Sequence, residues 1–426
     1  MPAQSAQSSA AAAGTAHPNQ RTGLGRPSDI FIALRNAQYR RYMGSFVFAS
    51  FGFQAQDALN GWLAYTLTGK AFSLGSVLFV SGAAQAGGAL IGGVMADRFN
   101  RQRLIILSQG LIGLAALATA VLVLSHHIQI WHLYLSSLLA GLGTSMHMPA
   151  RQAFVHDIVG SEEISNAVAV NAAANNTMRL VAPAVAGGLI ASIGIGSAYI
   201  AVVIAYVLSM AGMMFVGSKQ RVSASRRVAP LREFNEGVRE LWTHRNLFWL
   251  LMLGLVSSML GLQYRYMMPA FTARLGHGAG GWGLLLSMAG AGAMLASIGI
   301  AAAANSSLKG RIAMTTCVLW GGLMAVMAVM PNMPSAIPVL LVLGGVSTAT
   351  NTLINILIQT NVDDEHRGRL LSFWMLSFSL SPIFSPAVGK LVDIYGVREV
   401  LLGTGAVLFV IALVLTICRR DLREMA

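Results

Sequence analysis

Apolar runs of about twenty residues recur along this chain from Tyr42 onward, and short polar stretches separate them. A helix of about twenty residues crosses the roughly 30 Å hydrocarbon core of a bilayer. The pattern therefore predicts twelve membrane-spanning helices, numbered span 1 to span 12. They cover residues 42–66, 72–96, 104–125, 131–149, 166–190, 196–217, 247–271, 281–304, 312–330, 336–358, 370–392 and 400–418.

The longest polar stretch between spans lies after span 6 and divides the chain into two sets of six spans. It predicts a linker at the membrane surface, with an amphipathic helix near LREFNEGVRELW. The first residues are rich in Ala, Ser and Gln, which is typical of a disordered tail. The predicted parts are a cytoplasmic tail at 1–30, a first half at 31–217, a linker at 218–246, a second half at 247–418 and a tail at 419–426.

Basic residues accumulate on one side of the predicted spans. Of the 29 lysines and arginines, 23 lie on the side that holds both termini, and four lie on the other side, at Lys70, Arg274, Lys390 and Arg398. Loops rich in Lys and Arg stay in the cytoplasm. Both termini are therefore predicted to be cytoplasmic.

Composition points to lipid as the solvent of this protein. Charged residues make up 11% of the chain, against about 25% in soluble domains. The net charge of +13 follows from the loop arginines, so it indicates topology rather than nucleic-acid binding. Cys317 and Cys418 have no metal-ligand spacing, and the sequence contains no nucleotide-binding loop and no arrangement of a nucleophile with histidine and acid. We therefore expect no enzyme activity, no cofactor and no metal.

Two pairs of similar segments relate the halves. APAVAGGLIASIG at 182–194 matches SPAVGKLVDIYG at 385–396, and HDIVGSEEIS after span 4 corresponds to TNVDDEHRGR after span 10. The two pairs have nearly the same separation along the chain. This repetition predicts two pseudo-symmetric halves of six helices each, in parallel orientation.

The loop between spans 2 and 3 is short and highly charged. It reads Gly93-xxx-Asp97-Arg98-x-Asn100-Arg101 and resembles the loop signature of the major facilitator superfamily. Gly93 is expected to permit close helix contact. Asn100 replaces the second glycine of the signature, a mild change because Asn tolerates the left-handed conformation of a tight turn. The resemblance implies an all-α fold of twelve transmembrane helices.

The same resemblance implies a gating role for this loop. We expect Asp97 and Arg101 to help latch the outward-open state at the inner surface. The candidate partners on the loop after span 4 are Asp157, Glu162 and Glu163. Exposed ion pairs contribute only about 0–1 kcal/mol each, so such a latch acts as a network. The alternative is that the arginines only anchor the topology.

A narrower resemblance concerns the bacterial branch that contains the enterobactin exporter and related secretion-type permeases. Its segments are LRNAQYRRYMGS, WLAYTLTGKAFSLG, MPARQAFVHDIVGSEEISNAVAV and VDDEHRGRLLSF. Span 5 also holds a weakened antiporter motif at Pro183, Gly187 and Gly188, which accompanies export in the family. Ser137 stands where those antiporters carry an arginine in span 4, which argues against their standard proton relay.

Polar side chains inside spans are costly in lipid, so they indicate a wet cavity or contacts between helices. In the family that the chain resembles, spans 1, 4, 7 and 10 line the central cavity. The residues expected to line it are Gln54, Asn60, Gln263, Tyr264, Tyr266, Asn351, Asn355 and Gln359. The three in span 10 recur every fourth residue and share one helical face. Hydrogen bonding between helices is the alternative.

Asp57 is the one acid predicted to lie well inside a span. At 1.5 Å per residue it lies roughly 22 Å beyond Tyr42, in the outer half of the membrane. Arg265 has a similar depth in span 7, and Arg179 lies near the middle of span 5. We expect Asp57, with Arg179 or Arg265, to couple transport to protons. A static Asp–Arg pair that only fixes helix packing is the alternative.

Three functions fit these features. The leading one is a secondary exporter of a small molecule, such as a siderophore, drug or metabolite, coupled to inward proton flow. The others are an uptake permease and a non-transporting sensor or scaffold. The antiporter motif favours export, and Asp57 with Arg179 favours transport over a scaffold. The expected setting is a monomer in the bacterial inner membrane, with a small-molecule substrate, protons and lipid as partners and no nucleic acid.

Overall fold

The computed structural model describes residues 32–217, 245–302, 308–362 and 380–425, together with 370, 373, 374 and 377. Within these ranges, the side chains of residues 90, 161, 162, 165, 301 and 302 are not described. The predicted tail at 1–30, nearly all of the linker at 218–246 and the side chain of Glu162 therefore lie outside the described residues. Every regular element in the described ranges is a helix.

The first half consists of long helices. Spans 1, 2, 3 and 6 are Ala37–Thr68, Ala71–Arg98, Arg101–Leu124 and Ile195–Met214. Spans 4 and 5 are two helices within Ile130–Ile193 that meet at a kink at Gly160, where φ is 72°. The loop expected between spans 4 and 5 is therefore helical on both sides of that glycine. Glycine adopts positive φ without the steric cost of a Cβ, so one residue redirects the chain there.

The second half contains more irregular elements. Span 7 is Arg245–Val256, a π-helical turn at Ser257–Gly261, and Gln263–Arg274. Spans 8, 9 and 10 are Ala279–Ala302, Lys309–Ala328 and Met333–Thr360. The described end of span 11 is a 3-10 turn, Ser381–Phe384, followed by Ser385–Tyr395; span 12 is Val397–Cys418, and a short helix follows at Arg420–Arg423.

Most of these helices are more apolar than the helices of a soluble protein. Eight described helices are long and apolar enough to cross a membrane, and a ninth qualifies if the bent pair Ala71–Ala89 and Ile91–Arg98 is one span. Span 1 falls outside this set because Gln54, Gln56 and Asp57 lower its hydropathy. Polar residues are costly in lipid, so this helix is expected to face a polar interior.

Side-chain caps fix where two of the helices begin. The side-chain oxygen of Asn36 accepts hydrogen bonds from the backbone N–H groups of Gln38 and Tyr39, and span 1 begins directly after it. Asn100 caps span 3 in the same way, accepting from the N–H of Arg103 at 3.0 Å. Its φ of −61° and ψ of 114° are extended, so the left-handed turn expected at Asn100 is wrong. Asn is favoured there because it is a good N-cap.

The two halves make close contacts at one end of the bundle. We call the end that holds the chain termini the terminal end and the opposite end the distal end. At the distal end, the Asp393 carboxylate of span 11 accepts hydrogen bonds from the N–H groups of Ala71 and Phe72 at 2.7 and 2.9 Å. The rings of Trp62 and Trp282 lie 5.0 Å apart there. A further hydrogen bond between the halves, from span 5 to span 8, lies nearer the terminal end.

Candidate functional site

A cavity lies between the two halves, and we call it the Asp57 cavity. Spans 1, 2 and 5 of the first half and spans 7 and 8 of the second half enclose it. Its lining residues are Gln54, Asp57, Ala58, Gly61, Leu74, Leu78, Pro183, Arg265, Tyr266, Pro269, Trp282 and Leu286. The wall is thus largely apolar, with a few polar groups that come from both halves. This is the usual composition of a small-molecule site.

Opposite charges face this cavity from opposite halves. Asp57 projects from span 1 and Arg265 from span 7. The Asp57 side chain is exposed to the cavity, Arg265 is half-buried, and the two form no direct ion pair in the described structure. Charges in a medium of low dielectric interact strongly over several ångströms. A movement of one half against the other would therefore change the electrostatic environment of Asp57.

A second cavity adjoins the first, and we call it the Arg179 cavity. It is lined by Arg179, Leu262, Tyr264, Arg265, Leu286, Ala289, Gly290, Ala293, Gly344, Ser347, Thr348 and Asn351. Arg265 borders both cavities. The Arg179 Nε and the Asn351 Oδ1 are buried and find no hydrogen-bond partner among the described residues. Because an unsatisfied buried polar atom costs about 1–3 kcal/mol, these atoms are candidate ligand contacts.

The other polar residues expected in the cavity divide into two groups. Gln54 and Tyr266 line the Asp57 cavity, and Tyr264 lines the Arg179 cavity. Asn355 and Gln359 continue the helical face of Asn351 toward the terminal end, and the Gln359 amide donates to the Asn355 Oδ1. These last two side chains line neither cavity.

Asn60 and Gln263 bond to neighbouring helices in this conformation. Asn60 accepts a hydrogen bond from the Tyr199 hydroxyl at 2.8 Å and donates to the Ser137 Oγ at 3.4 Å. Gln263 is fully buried, and its Nε2 donates to the Ser381 carbonyl oxygen at 3.0 Å. Both side chains therefore make hydrogen bonds between helices, and Asn60 in addition lines a cavity with Gln56 and Asp57.

Gln56 and His147 also line cavities, although neither was predicted from the sequence as a site residue. Gln56 borders a cavity beside Asp57, and neither of its amide atoms has a partner among the described residues. The His147 Nδ1 lies 3.3 Å from the Ser108 Oγ, and the ring lines another cavity with Arg179. In the sequence, the only indication that these two residues line cavities is that each is polar and lies within an apolar span.

The charged loop between spans 2 and 3 forms one ion pair within the first half. The Arg101 Nη1 lies 2.7 Å from each carboxylate oxygen of Asp157. This ion pair connects the start of span 3 to the end of span 4, just before Gly160. Asp97 and Arg98 are exposed, and Glu163 is half-buried without an ion pair in the described ranges. The pair does not cross between the halves in this conformation.

The close helix contact expected at Gly93 is made by its neighbour. A Cβ on Gly93 would meet nothing within 4 Å, whereas a Cβ on Gly92 would lie 2.1 Å from the Ser145 carbonyl oxygen. Gly92, not Gly93, therefore permits span 2 to approach span 4. The two positions point in different directions on the helix, and the signature alone does not indicate which one faces the neighbour.

The weakened antiporter motif lies where spans 5 and 8 touch across the halves. A Cβ on Gly187 would lie 2.7 Å from the Ala279 carbonyl oxygen and 2.7 Å from the Gly283 Cα. A Cβ on Gly283 would likewise lie 2.6 Å from the Pro183 carbonyl oxygen. Gly188 faces open space. Gly187 therefore permits direct contact between the backbones of the two halves near the distal end.

Two helical halves around a shared cavity with a few charged and polar groups are the architecture of a multi-pass membrane transporter. A sequence profile of the Major Facilitator Superfamily matches residues 42–386. The chain belongs to this superfamily, and it is a transporter by family. The family and the all-α fold of two six-helix halves, both predicted from the sequence, are confirmed.

Two bacterial relatives are export proteins by name. The enterobactin exporter EntS of Salmonella typhi is 25% identical over 315 residues, which cover 72% of this chain and 74% of the exporter. The multidrug efflux pump Tap of Mycolicibacterium fortuitum is 25% identical over 369 residues, which cover 82% of this chain and 89% of the pump.

Solved transporter structures share the fold. A POT family transporter in complex with a thioalcohol-conjugated peptide superposes with a TM-score of 0.74 at 12% identity, covering 90% of this chain and 96% of the other. A bacterial homolog of the human lysosomal transporter Spinster, in an inward-facing and unoccupied conformation, gives a TM-score of 0.65 at 14% identity, with coverage of 91% and 97%. At these identities the likeness concerns the fold alone.

Proposed function

We propose that the protein is a secondary active exporter of a small molecule, driven by inward proton flow through alternating access. The observation that carries the proposal is the pair of charged groups, Asp57 and Arg265, that face one cavity from opposite halves. The protein is a monomer in the bacterial inner membrane with both termini in the cytoplasm. It has no enzyme activity and needs no cofactor.

Asp57 is the proton-carrying group in this proposal. Rocking of the halves changes its distance from Arg265, because the two residues belong to different rigid units. A nearby cation favours the charged carboxylate, and burial disfavours it, so the affinity of Asp57 for a proton differs between the two conformations. Such a difference is what coupling of proton and substrate movement requires.

Export is favoured over uptake by two features. The chain keeps Pro183, Gly187 and Gly188 of the antiporter motif, at the contact between spans 5 and 8. Two of its relatives are named as an exporter and an efflux pump. The candidate substrates are a siderophore, a drug or a metabolite.

Deleting the gene in its native bacterium tests the direction of transport. We expect at least one compound to accumulate inside the cells and to decrease in the medium, as measured by mass spectrometry of cell extracts and spent medium. Re-expression of the wild-type protein should restore both levels. A compound that is lost from the cells and accumulates in the medium would instead indicate an uptake permease. An unchanged distribution of all compounds would indicate a sensor or scaffold.

The charged loop supplies a prediction on gating. We expect Asp97→Asn to reduce export by about five-fold, the effect of losing an exposed interaction worth up to about 1 kcal/mol. In the latched conformation Asp97 acts with Arg101 and its partners Asp157, Glu162 and Glu163, although the described contact joins only Arg101 to Asp157. Export of the compound found by deletion is measured at matched membrane levels.

Glu424→Gln is the matched control for this measurement. Glu424 is an exposed acid at the same end of the bundle, outside the loop signature. We expect its neutralisation to leave export unchanged. If Asp97→Asn also exports at the wild-type rate, the loop serves only as a topology anchor.

A further inference from the structure

The two adjoining cavities between the halves carry an excess of positive charge. Arg179 of span 5 and Arg265 of span 7 both border the Arg179 cavity, and Arg265 also borders the Asp57 cavity. Asp57 is the one acid among the residues that line these two cavities in the described structure. The arginines come from different halves, so a ligand between them would bridge the two rigid units.

Neither arginine is neutralised by an ion pair within the described ranges. The Arg179 Nε is a buried donor without an acceptor, and the Asn351 Oδ1 in the same cavity is a buried acceptor without a donor. An arginine that only fixed helix packing would be expected to bond its neighbours, as Arg274 does with the Ala328 carbonyl oxygen at 2.7 Å. The unsatisfied atoms therefore indicate a ligand that has both acceptor oxygens and a hydrogen-bond donor.

The rest of the site is apolar. Leu74, Leu78, Pro269, Trp282 and Leu286 line the Asp57 cavity, which meets the Arg179 cavity at Arg265. Leu286 borders both cavities. A ligand held by its charged end at the arginines would therefore extend along an apolar wall that ends in an indole ring.

We propose that the transported molecule is an organic anion. Its oxyanion group is held between Arg179 and Arg265, with Asn351 as a further polar contact, and its apolar body lies in the Asp57 cavity. Guanidinium groups bind planar oxyanions through paired, charge-assisted hydrogen bonds. A cation would meet two like charges and a single acid in the same space. This inference rests on the proposed transport function, but the binding can be measured without transport.

The membrane potential acts on an anion in the direction of export. The interior of a bacterium is negative, so an anion moves outward and a proton moves inward, each along its electrical gradient. A substrate of this charge therefore fits exchange against protons.

The test is binding of charge-matched probes to the purified full chain in detergent, measured by calorimetry at neutral pH. The anionic probes are benzoate, 2-naphthoate and anthracene-2-carboxylate, each compared with its neutral primary amide and its cationic arylmethylamine. We expect at least one carboxylate to bind, and its amide and amine to bind more weakly by about ten-fold or more, as expected when a charge-assisted hydrogen bond is lost. The proposal is overturned if no carboxylate binds, or if the amide or amine binds as tightly.

Variants then locate the anion. Arg265→Gln and Arg179→Gln should each weaken carboxylate binding by about ten-fold, and Arg265→Lys should weaken it less, since it keeps the charge and loses the paired geometry. Arg274→Gln, on the same helix as Arg265 but outside both cavities, is the control and should bind normally. Equal affinity of all four variants would overturn the assignment of the site. If the protein binds carboxylates but deletion of its gene changes the distribution of no compound, the transport function is contradicted and the anion site is still supported.

Discussion

Asp57→Asn should abolish proton-driven export while leaving substrate binding close to that of the wild type. Asparagine has nearly the same size and cannot carry a proton at this position, so the variant loses the change in protonation that links the two conformations. For an anionic substrate, loss of the neighbouring negative charge does not weaken binding. Export is measured in everted membrane vesicles with the compound found by gene deletion, across a range of external pH, and binding is measured with the aromatic carboxylates.

Asp57→Glu provides the comparison, because it keeps a titratable group with a longer side chain. We expect partial export from this variant, with an altered dependence on pH. If Asp57→Asn exports against a gradient with the wild-type pH dependence, Asp57 is not the coupling site. A loss of binding in Asp57→Asn would instead indicate a cationic substrate that binds to the carboxylate itself.

The helices could be predicted from the sequence because lipid imposes a simple rule. Each helix in the bilayer needs about twenty apolar residues, and this length is visible as a run. The ends of the helices were less predictable, because they depend on local bonds. Span 1 begins at Ala37, directly after its Asn36 cap and five residues before the apolar run, and Gly160 alone separates spans 4 and 5. A polar stretch can be helical when it lies at the end of the bundle, where charged side chains reach water.

The direction of side chains within the spans was harder to predict. Asp57 and Arg265 have similar depths in pseudo-equivalent spans, and the structure places them on one cavity. Gln263 precedes Arg265 by two residues but bonds to the Ser381 carbonyl oxygen in span 11. Both residues follow the π-helical turn Ser257–Gly261, on the same regular helix. Residues two apart on an α-helix point to nearly opposite sides, so depth in the membrane alone does not indicate which of them faces the cavity.

Gly187→Ala should shift the protein toward a conformation that is open at the distal end and should strongly reduce export. The added methyl group would lie 2.7 Å from the Ala279 carbonyl oxygen and from the Gly283 Cα, both backbone atoms of the opposite half. Overpacking of this kind costs about 1–3 kcal/mol, and the halves avoid it by separating. The equilibrium between closed and open distal ends should therefore change by about five-fold or more.

The separation of the halves can be measured with spin labels at exposed distal positions, His127→Cys in the first half and His277→Cys in the second. Cys418→Ser removes the exposed native thiol in this background, and Cys317 is buried. The control is Gly188→Ala, the adjacent residue of the same motif, where an added methyl group meets nothing within 4 Å. Longer distances in Gly187→Ala, with wild-type distances and export in Gly188→Ala, would link the antiporter motif to closure of the distal end. Wild-type distances in both variants would show that this contact adapts without opening, and the motif would then need another explanation.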